Sequence, residues 1–468
     1  MKNRPALLIL AATVLAAPAA RAEDMVHAVA RSLTDHPQMK ALNYSSHAAQ
    51  ARVGQAYAGY MPSLDLRAAG GLEHTNSPTT RARAGDGKED LSPTNLRLTL
   101  TQPVFQGFQT KNQVESNKFD ADASVWKLRS SAESLALEVV RAYFDVLMNQ
   151  RLENLARDNV AQNRKHLELV RSRAKSGAGN QADVNKANAR LKNAEAAFHQ
   201  YTGAVAQATA RYTLLVGKDP EGLEAPVVPR QLLTGKVEDD IQTGLKHSPV
   251  LAEYEARVRK LESQRDVTTA AFYPKINLEV TSTRDYDIDG TRGLNESLST
   301  MLVMNYNLLS GTSDLHKVRE AKQLLGQAMA DLDLNRRNVV LGVRNAFAAW
   351  ETTKARQAAF DSQVQETRVV RDAFTEQYKV GQRTLTDLLD AEEELFKSHT
   401  NQITENTAEQ VAVYQLLSSQ GRLLEVLGIE MPEGAQLARM GLGESLRDAF
   451  QQDLLPGKGD AAAQPATP

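Results

Sequence analysis

Tyr60-Met61-Pro62-Ser63-Leu64-Asp65-Leu66 and its echo Phe272-Tyr273-Pro274-Lys275-Ile276-Asn277-Leu278 decide the fold. In both, a helix-compatible segment reaches a proline, which cannot continue a helix, and then alternates apolar with polar residues as a two-faced strand does. Upstream, Leu33-Thr34-Asp35-His36-Pro37 and Leu245-Lys246-His247-Ser248-Pro249 keep the same separation of 212 residues. Downstream the separation becomes 204, pairing Gly107 with Gly311, Ala142 with Ala346, Tyr143 with Phe347, Gly177 with Gly381, Asp183 with Asp387 and Leu191 with Leu395. The eight residues lost fall in the polar stretch His74 to Pro93, where a loop tolerates length change. Gly217 pairs with Gly428 at a separation of 211, and seven added residues, one heptad, predict a longer helix with its apolar seam in phase. An internal duplication is expected, with a first repeat at 23–230 and a second at 231–431.

Each half reads as helix, strand, strand, long helix, helix. Leu64, Leu66, Ala68, Gly70 and Leu72 alternate with Asp65, Arg67, Ala69, Gly71 and Glu73, and Leu96, Leu98 and Leu100 alternate with Asn95, Arg97, Thr99 and Thr101. The second half repeats this with Ile276, Leu278 and Val280, then with Leu298, Thr300, Leu302, Met304 and Tyr306 on one face. Such strands suit a transmembrane β-barrel, although a soluble sandwich shows the same alternation. The helices separate the two readings. No proline interrupts Lys111 to Ser176 or Ser313 to Val380, so each predicted rod reaches ~100 Å at about 1.5 Å per residue. Leu135, Val139, Ala142 and Val146 form a stripe that recurs as Val339, Val343, Ala346 and Trp350. Val184, Ala187, Leu191, Ala194, Phe198, Tyr201, Val205, Ala208, Tyr212 and Leu215 step by three and four, which is coiled-coil spacing.

The length of 468 residues alone would suggest about three domains. Gly (27) and Pro (16) are scarce and aromatics are 5%, which favours long helices over loop-rich folds. The absence of cysteine excludes disulfide scaffolds, thiolate metal sites, thiol nucleophiles and a lipid-bearing cysteine. A formal charge of -2 argues against a chain that coats nucleic acid. Lys2 and Arg4, the apolar run Ala6 to Ala17 and Ala20-Arg21-Ala22 predict a signal peptide at 1–22, cleaved before Glu23. The mature chain would carry 52 basic and 57 acidic residues, and no later stretch approaches the roughly 18 apolar residues of a spanning helix. The exported chain is then either soluble or spans a membrane as a β-barrel.

Four strands cannot close a barrel, and an open edge is forbidden in lipid, so a spanning form must oligomerise. Two copies give a filled eight-stranded barrel, three give twelve strands with room for a lumen, and physics does not separate three copies from four. Tyr57, Tyr60, Phe105, Phe108, Phe272, Tyr273 and Tyr306 cluster near the helix-strand junctions marked by Pro62, Pro103 and Pro274, as a membrane-interface belt would.

With the duplicated layout, the strand exit Thr101-Gln102-Pro103-Val104-Phe105-Gln106-Gly107 and both glycine-containing helix turns, residues 23–431 resemble the TolC-like outer-membrane channel family. The resemblance implies an α+β membrane protein and a homotrimer. A 12-stranded barrel in outer-membrane lipid would continue into a periplasmic α-barrel of antiparallel helical hairpins, forming a passive, non-enzymatic exit duct without cofactors. Its implied partners are a periplasmic adaptor and an inner-membrane transporter. Tyr378-Lys379-Val380-Gly381-Gln382-Arg383-Thr384-Leu385-Thr386-Asp387-Leu388-Leu389-Asp390-Ala391 resembles the family's periplasmic tip. By that resemblance Asp387 and Asp390 form acidic rings, Tyr378 and Arg383 hold the gate shut through contacts that include Asp183, and the adaptor docks around Gly177 and Gly381. The spacing of three places both aspartates on one helix face, although an acid in a first helical turn is also favoured by the helix dipole alone. Ala182 departs from the family pattern, where a hydroxyl residue is familiar.

Type I protein export with an ABC transporter is favoured over drug efflux, because many efflux ducts carry lipid on a cysteine and the tip looks like the type I branch. A periplasmic coiled-coil adaptor is the distant alternative, but adaptors lack two duplicated strand pairs. Asp285, Asp287, Asp289 and Glu296 fit the spelling of an EF-hand loop, yet lie between predicted strands. No histidine pattern, phosphate loop or catalytic constellation is legible; Gly85-Asp86-Gly87-Lys88 reads as a loop tip. Residues 432–455 are expected to be a periplasmic C-terminal segment, and 456–468 a disordered tail.

Overall fold

The computed structural model describes residues 24–83 and 87–431, so the expected signal peptide and the segments 432–455 and 456–468 lie outside the described residues. In chain order the elements are α1 (Met25–Asp35), α2 (Pro37–Tyr57), β1 (Ser63–Gly70), β2 (Glu73–Thr75), α3 (Pro78–Arg83), β3 (Glu89–Leu91), β4 (Thr94–Gln106) and α4 (Gln109–Lys175). Then follow α5 (Gln181–Val216), α6 (Val237–His247), α7 (Pro249–Thr269), β5 (Lys275–Ile288), β6 (Thr291–Asn305), α8 (Ser313–Lys379), α9 (Leu385–Ser419) and α10 (Leu423–Leu427). The proline-free runs become α4 and α8, each 67 residues long. Among the described residues no helix is long and apolar enough to cross a membrane.

The chain divides into two compact units. One comprises Gln38–Ser131 and Gly244–Leu341, together with Met431. It holds an antiparallel sheet in the order β1-β4-β5-β6. Register sorts the strand faces. Leu64 lies opposite Leu100, Leu66 opposite Leu98, Leu100 opposite Val280, Leu278 opposite Leu302 and Ile276 opposite Met304. The alternate positions join Asp65 to Thr99, Thr99 to Thr281 and Thr281 to Ser299. One face is thus a continuous leucine-rich band and the other is polar, as the period of two requires. The band is solvent-exposed in the single chain: Leu66 is 67%, Leu298 75% and Leu302 69% accessible. Among the described residues β1 and β6 pair on one side only, leaving two open edges.

Pro103 removes a ladder donor, and the pairing of β4 with β5 shifts register between Pro103 and Phe105. Just beyond, Gly107 turns the strand into α4 with φ +62°; an added Cβ would lie 2.8 Å from the Ala270 carbonyl oxygen and 2.9 Å from Tyr273 Cβ. Phe108 stacks edge-on against Phe105 and Tyr273, at centroid distances of 5.2 and 5.7 Å. The polar stretch between β1 and β4 is more ordered than a plain loop. β2 pairs with β3, α3 lies between them in sequence, and Thr80 is fully buried beneath the turn, its hydroxyl donating to the Gly87 carbonyl (2.8 Å).

The other unit comprises the described residues of Met1–Pro37, with Ala132–Thr243 and Gly342–Glu430. The predicted seam of α5 is its packed face: Ala187, Leu191, Ala194, Ala208, Tyr212 and Leu215 are buried, and none of its ten positions is exposed. Tyr143 packs on Tyr212 (6.3 Å), and its hydroxyl donates to the Glu224 carbonyl (2.7 Å) while accepting from the Glu224 amide (3.1 Å). Glu133, only 7% exposed, accepts from the amides of Leu423 (3.2 Å) and Leu424 (3.3 Å) at the start of α10.

One expectation is corrected here. The seven extra residues do not lengthen a helix, since α5 has 36 residues and α9 has 35. Gly217 and Gly421, still 204 apart, are both left-handed at these helix ends, with φ +81° and +73°. The added residues instead form α10, which ends at a second left-handed glycine, Gly428. A second αL helix stop, not a heptad, explains the apparent gain.

Candidate functional site

Two helical hairpins in this second unit end in turns built alike. After α4 the chain reverses at Gly177 (φ +79°), and the Ala178 amide donates back to the Arg173 carbonyl (2.9 Å). After α8 it reverses at Gly381 (φ +78°), and the Gln382 amide donates to the Gln377 carbonyl (2.9 Å). Both are six-residue closures that satisfy terminal carbonyls and require left-handed backbone at the glycine. The next helix then starts on a side-chain cap. Asn180 Oδ1 accepts from the Asp183 amide (2.8 Å), and Thr384 forms a full capping box with Asp387: Thr384 Oγ1 accepts from the Asp387 amide (3.3 Å) and Asp387 Oδ2 accepts from the Thr384 amide (3.1 Å). Hydrogen bonds from Thr384, with a smaller contribution from the charge of Arg383, hold the Asp387 carboxyl below its ordinary range. Asp183 and Asp387 therefore both occupy the third helical position, where the capping geometry and dipole favour an acid.

The hairpins are joined within the chain by an apolar centre and a polar rim. Val160, Leu167 and Val170 of α4, Leu191 of α5, Tyr378 of α8 and Leu385, Leu388 and Leu389 of α9 form one buried cluster. Tyr378 is central to it. The Arg173 guanidinium lies 4.8 Å over its ring and donates from Nη1 to its carbonyl (2.9 Å). Burial pushes the Tyr378 phenol above its ordinary value, the Asp183 carboxylate adds to that push, and Arg173 opposes it. Along the rim, Lys186 Nζ donates to Thr386 Oγ1 (2.6 Å), and one turn further Arg190 donates from Nη2 to Asp390 Oδ1 (2.7 Å) and from Nη1 to Glu393 Oε2. Deeper in, His166 Nε2 lies 3.0 Å from Glu392 Oε1, and Arg371 Nη1 donates to the same carboxylate (3.2 Å). Burial opposes charge on Glu392, but the bonds from His166 and Arg371 prevail and hold its carboxyl below the ordinary range.

The structure thus brings Asp183 and Tyr378 into electrostatic reach of each other. It divides the other expected residues. Asp387 turns to its own helix start, Asp390 reaches across to α5, and Arg383 stays within its hairpin, 4.3 Å over the Phe374 ring and donating to Gln377 Oε1 (3.1 Å). The sequence reading missed Arg173, Arg190, His166, Arg371 and Glu392. The available clue, for Arg190 alone, was its position beside the α5 seam, where a long charged side chain reaches a partner helix.

The EF-hand spelling falls on the β5–β6 hairpin, and its acids do not converge. Asn95 takes Asp285, the Gly293 amide takes Asp287 Oδ1 (2.7 Å), and Arg284 takes Glu296 (3.3 Å). An EF-hand wraps its loop around the ion, whereas here the backbone runs as a strand into a tight hairpin turn with positive φ at Asp287 and Asp289, and the carboxylates do not gather. Among the described residues no group of three or more histidine or acidic side chains could hold a metal ion.

The family model described as outer membrane efflux protein matches residues 28–218 and 241–422. The chain belongs to the outer membrane efflux protein family. It is similar to outer membrane efflux protein BepC of Brucella suis biovar 1, 25% identical over 430 residues that cover 92% of each chain. It is also similar to alkaline protease secretion protein AprF of Pseudomonas aeruginosa, 24% identical over 85% of this chain and 83% of that one. The solved outer-membrane channel OprN superposes with a TM-score of 0.75 at 20% identity, over 85% of this chain and 89% of OprN. As an outer membrane efflux protein the chain is a non-enzymatic transport component of the outer membrane that extends into the periplasm. Members of the outer membrane efflux protein family are trimeric channels working with periplasmic adaptors and inner-membrane transporters.

Proposed function

We propose that three copies of this chain form a single exit duct, each contributing β1, β4, β5 and β6 to a 12-stranded barrel. The observation that carries the proposal is the exposed leucine band on a sheet with two open edges. In lipid the band faces hydrocarbon, and a neighbouring copy satisfies each edge. Residues 23–230 and 231–431 are two repeats of one unit, and the strand pairs Ser63 with Thr101 and Lys275 with Asn305, at separations of 212 and 204, support that origin. Asp183, Tyr378, Arg383, Asp387 and Asp390 serve as the periplasmic gate, and an adaptor docks on the turns at Gly177 and Gly381.

The duct serves type I protein secretion with an ABC transporter, a reading supported by the likeness to AprF, whose name is that of an alkaline protease secretion protein. Drug efflux is the second reading, favoured by the likeness to BepC, named an outer membrane efflux protein. Deleting the gene separates them. Loss of one secreted protein with unchanged drug tolerance supports secretion, whereas drug sensitivity with an intact secretome supports efflux. Recovery of the protein in the soluble periplasm, as a monomer, would overturn the duct itself. For the gate, replacing Asp387 and Asp390 by alanine is expected to weaken cation preference in planar bilayers.

A further inference from the structure

The acid expected at the mouth is already compensated by a cation from the neighbouring hairpin. Asp390 is the exposed member of the aspartate pair, its side chain 58% accessible, and Arg190 of α5 bonds it at 2.7 Å while also bonding Glu393. Glu393 is shared with Lys397 (2.7 Å). The result is an alternating row, Asp390, Arg190, Glu393, Lys397, laid across α5 and α9. Lys186 holds Thr386 one turn earlier, so residues 186 and 190 of one helix meet residues 386 and 390 of the other in step. Asp387 is different in kind, because hydroxyl and amide bonds hold its charge and, among the described residues, no cation is bonded to it directly.

We infer that Arg190 sets the ionic selectivity of the mouth: seated on Asp390 and Glu393 it masks their charge, and movement of α9 away from α5 uncovers Asp390 in every subunit while leaving Glu393 to Lys397 alone. This deepens the gate reading proposed above and rests on it. Selectivity then depends on the state of the duct. With the hairpins engaged, the constriction offers fewer uncompensated acids to a cation. With them apart, cation preference and affinity for divalent cations rise together, because fixed charge at a narrow opening attracts counter-ions.

The test uses the full chain, purified as its oligomer and placed in planar bilayers, with potassium chloride gradients and magnesium as the probes. Arg190→Gln is expected to raise the cation-to-anion permeability ratio several-fold and to shift magnesium block to lower concentration. Arg190→Lys, which keeps the charge, should stay near the parent. Arg190→Gln combined with Asp390→Asn and Glu393→Gln should lose the gain. If Arg190→Gln conducts more but keeps the parent's ion selectivity and magnesium block, the residue is only a mechanical clamp and the inference falls. Unchanged selectivity and unchanged conductance overturn it as well. A parent protein that forms no channel at all refutes the duct reading instead, and this inference with it.

Discussion

Replacing Glu133 by glutamine should change how stability depends on pH. Glu133 is 7% exposed, and burial is the leading cause that pushes its carboxyl from 4.5 up to about 7; the Leu424 and Leu423 amides oppose the shift. Below pH 4.5 folded and unfolded chains both hold the proton. Between pH 4.5 and about 7 the folded chain holds it preferentially, so the stability contributed by this group falls as pH rises through that window. At 1.36 kcal/mol per pH unit the loss reaches roughly 3 kcal/mol for each subunit. Glu133→Gln is neutral at every pH and keeps an acceptor oxygen for one of the two amides. Relative to the parent, it should therefore gain stability by roughly that amount between pH 5 and pH 8. Denaturant unfolding of the detergent-solubilised protein, followed through the two tryptophans, measures the difference across a pH series. Other titrating groups are common to both proteins and cancel. Parallel curves across the whole range would refute the reasoning.

Four further outcomes are expected. Leu98→Arg, on the apolar face of β4, should cost about 2–4 kcal/mol in lipid and reduce recovery of assembled protein, while Thr99→Arg on the polar face should leave assembly intact and alter conductance. Gly107→Ala should cost about 1–3 kcal/mol, since it meets both a positive φ and a carbonyl at 2.8 Å, and more than Gly381→Ala, where φ is positive but nothing lies within 4 Å of the new Cβ; paired thermal melts give the order. Glu392→Ala removes the partner of His166 and Arg371 and should destabilise the hairpins by about 3–5 kcal/mol. In the parent, the Glu392 contribution should be complete above its ordinary carboxyl range and fade as the solution is acidified, a profile that protease sensitivity of the turns would follow. Calorimetry with calcium should give no heat attributable to Asp285, Asp287, Asp289 and Glu296, because their side chains already bond elsewhere or diverge.

The features legible in the sequence were local or periodic. Leu64, Leu66, Leu98 and Leu100 announce a two-faced strand without knowledge of its partner, and Gly177 and Gly381 announce left-handed turns because few other residues adopt them cheaply. The seam of α5 is legible for the same reason. Long-range pairings were not legible. Arg190 lies 200 positions from Asp390, and nothing in either segment distinguishes this arginine from Arg211 or Arg164. His166, Arg371 and Glu392 meet only after three helices pack. The misreading of the helix length has a plain cause, since a pattern match ignores backbone context: Gly428 matched Gly217 although the nearer Gly421 already closes the equivalent helix. The EF-hand spelling, set aside because it lies between predicted strands, does fall on a hairpin.

The open edges of β1 and β6 constrain how the protein can reach its working state. In a barrel of three copies, β6 of one subunit must find β1 of the next. A lone sheet placed in hydrocarbon would strand a row of amides and carbonyls on each side, at several kcal/mol per group. In the trimer proposed above, insertion and subunit association would then be a single concerted event, because only the neighbouring copies close the edges. Because the copies in the proposed trimer are identical, scarce subunits would give fewer complete barrels rather than narrower pores.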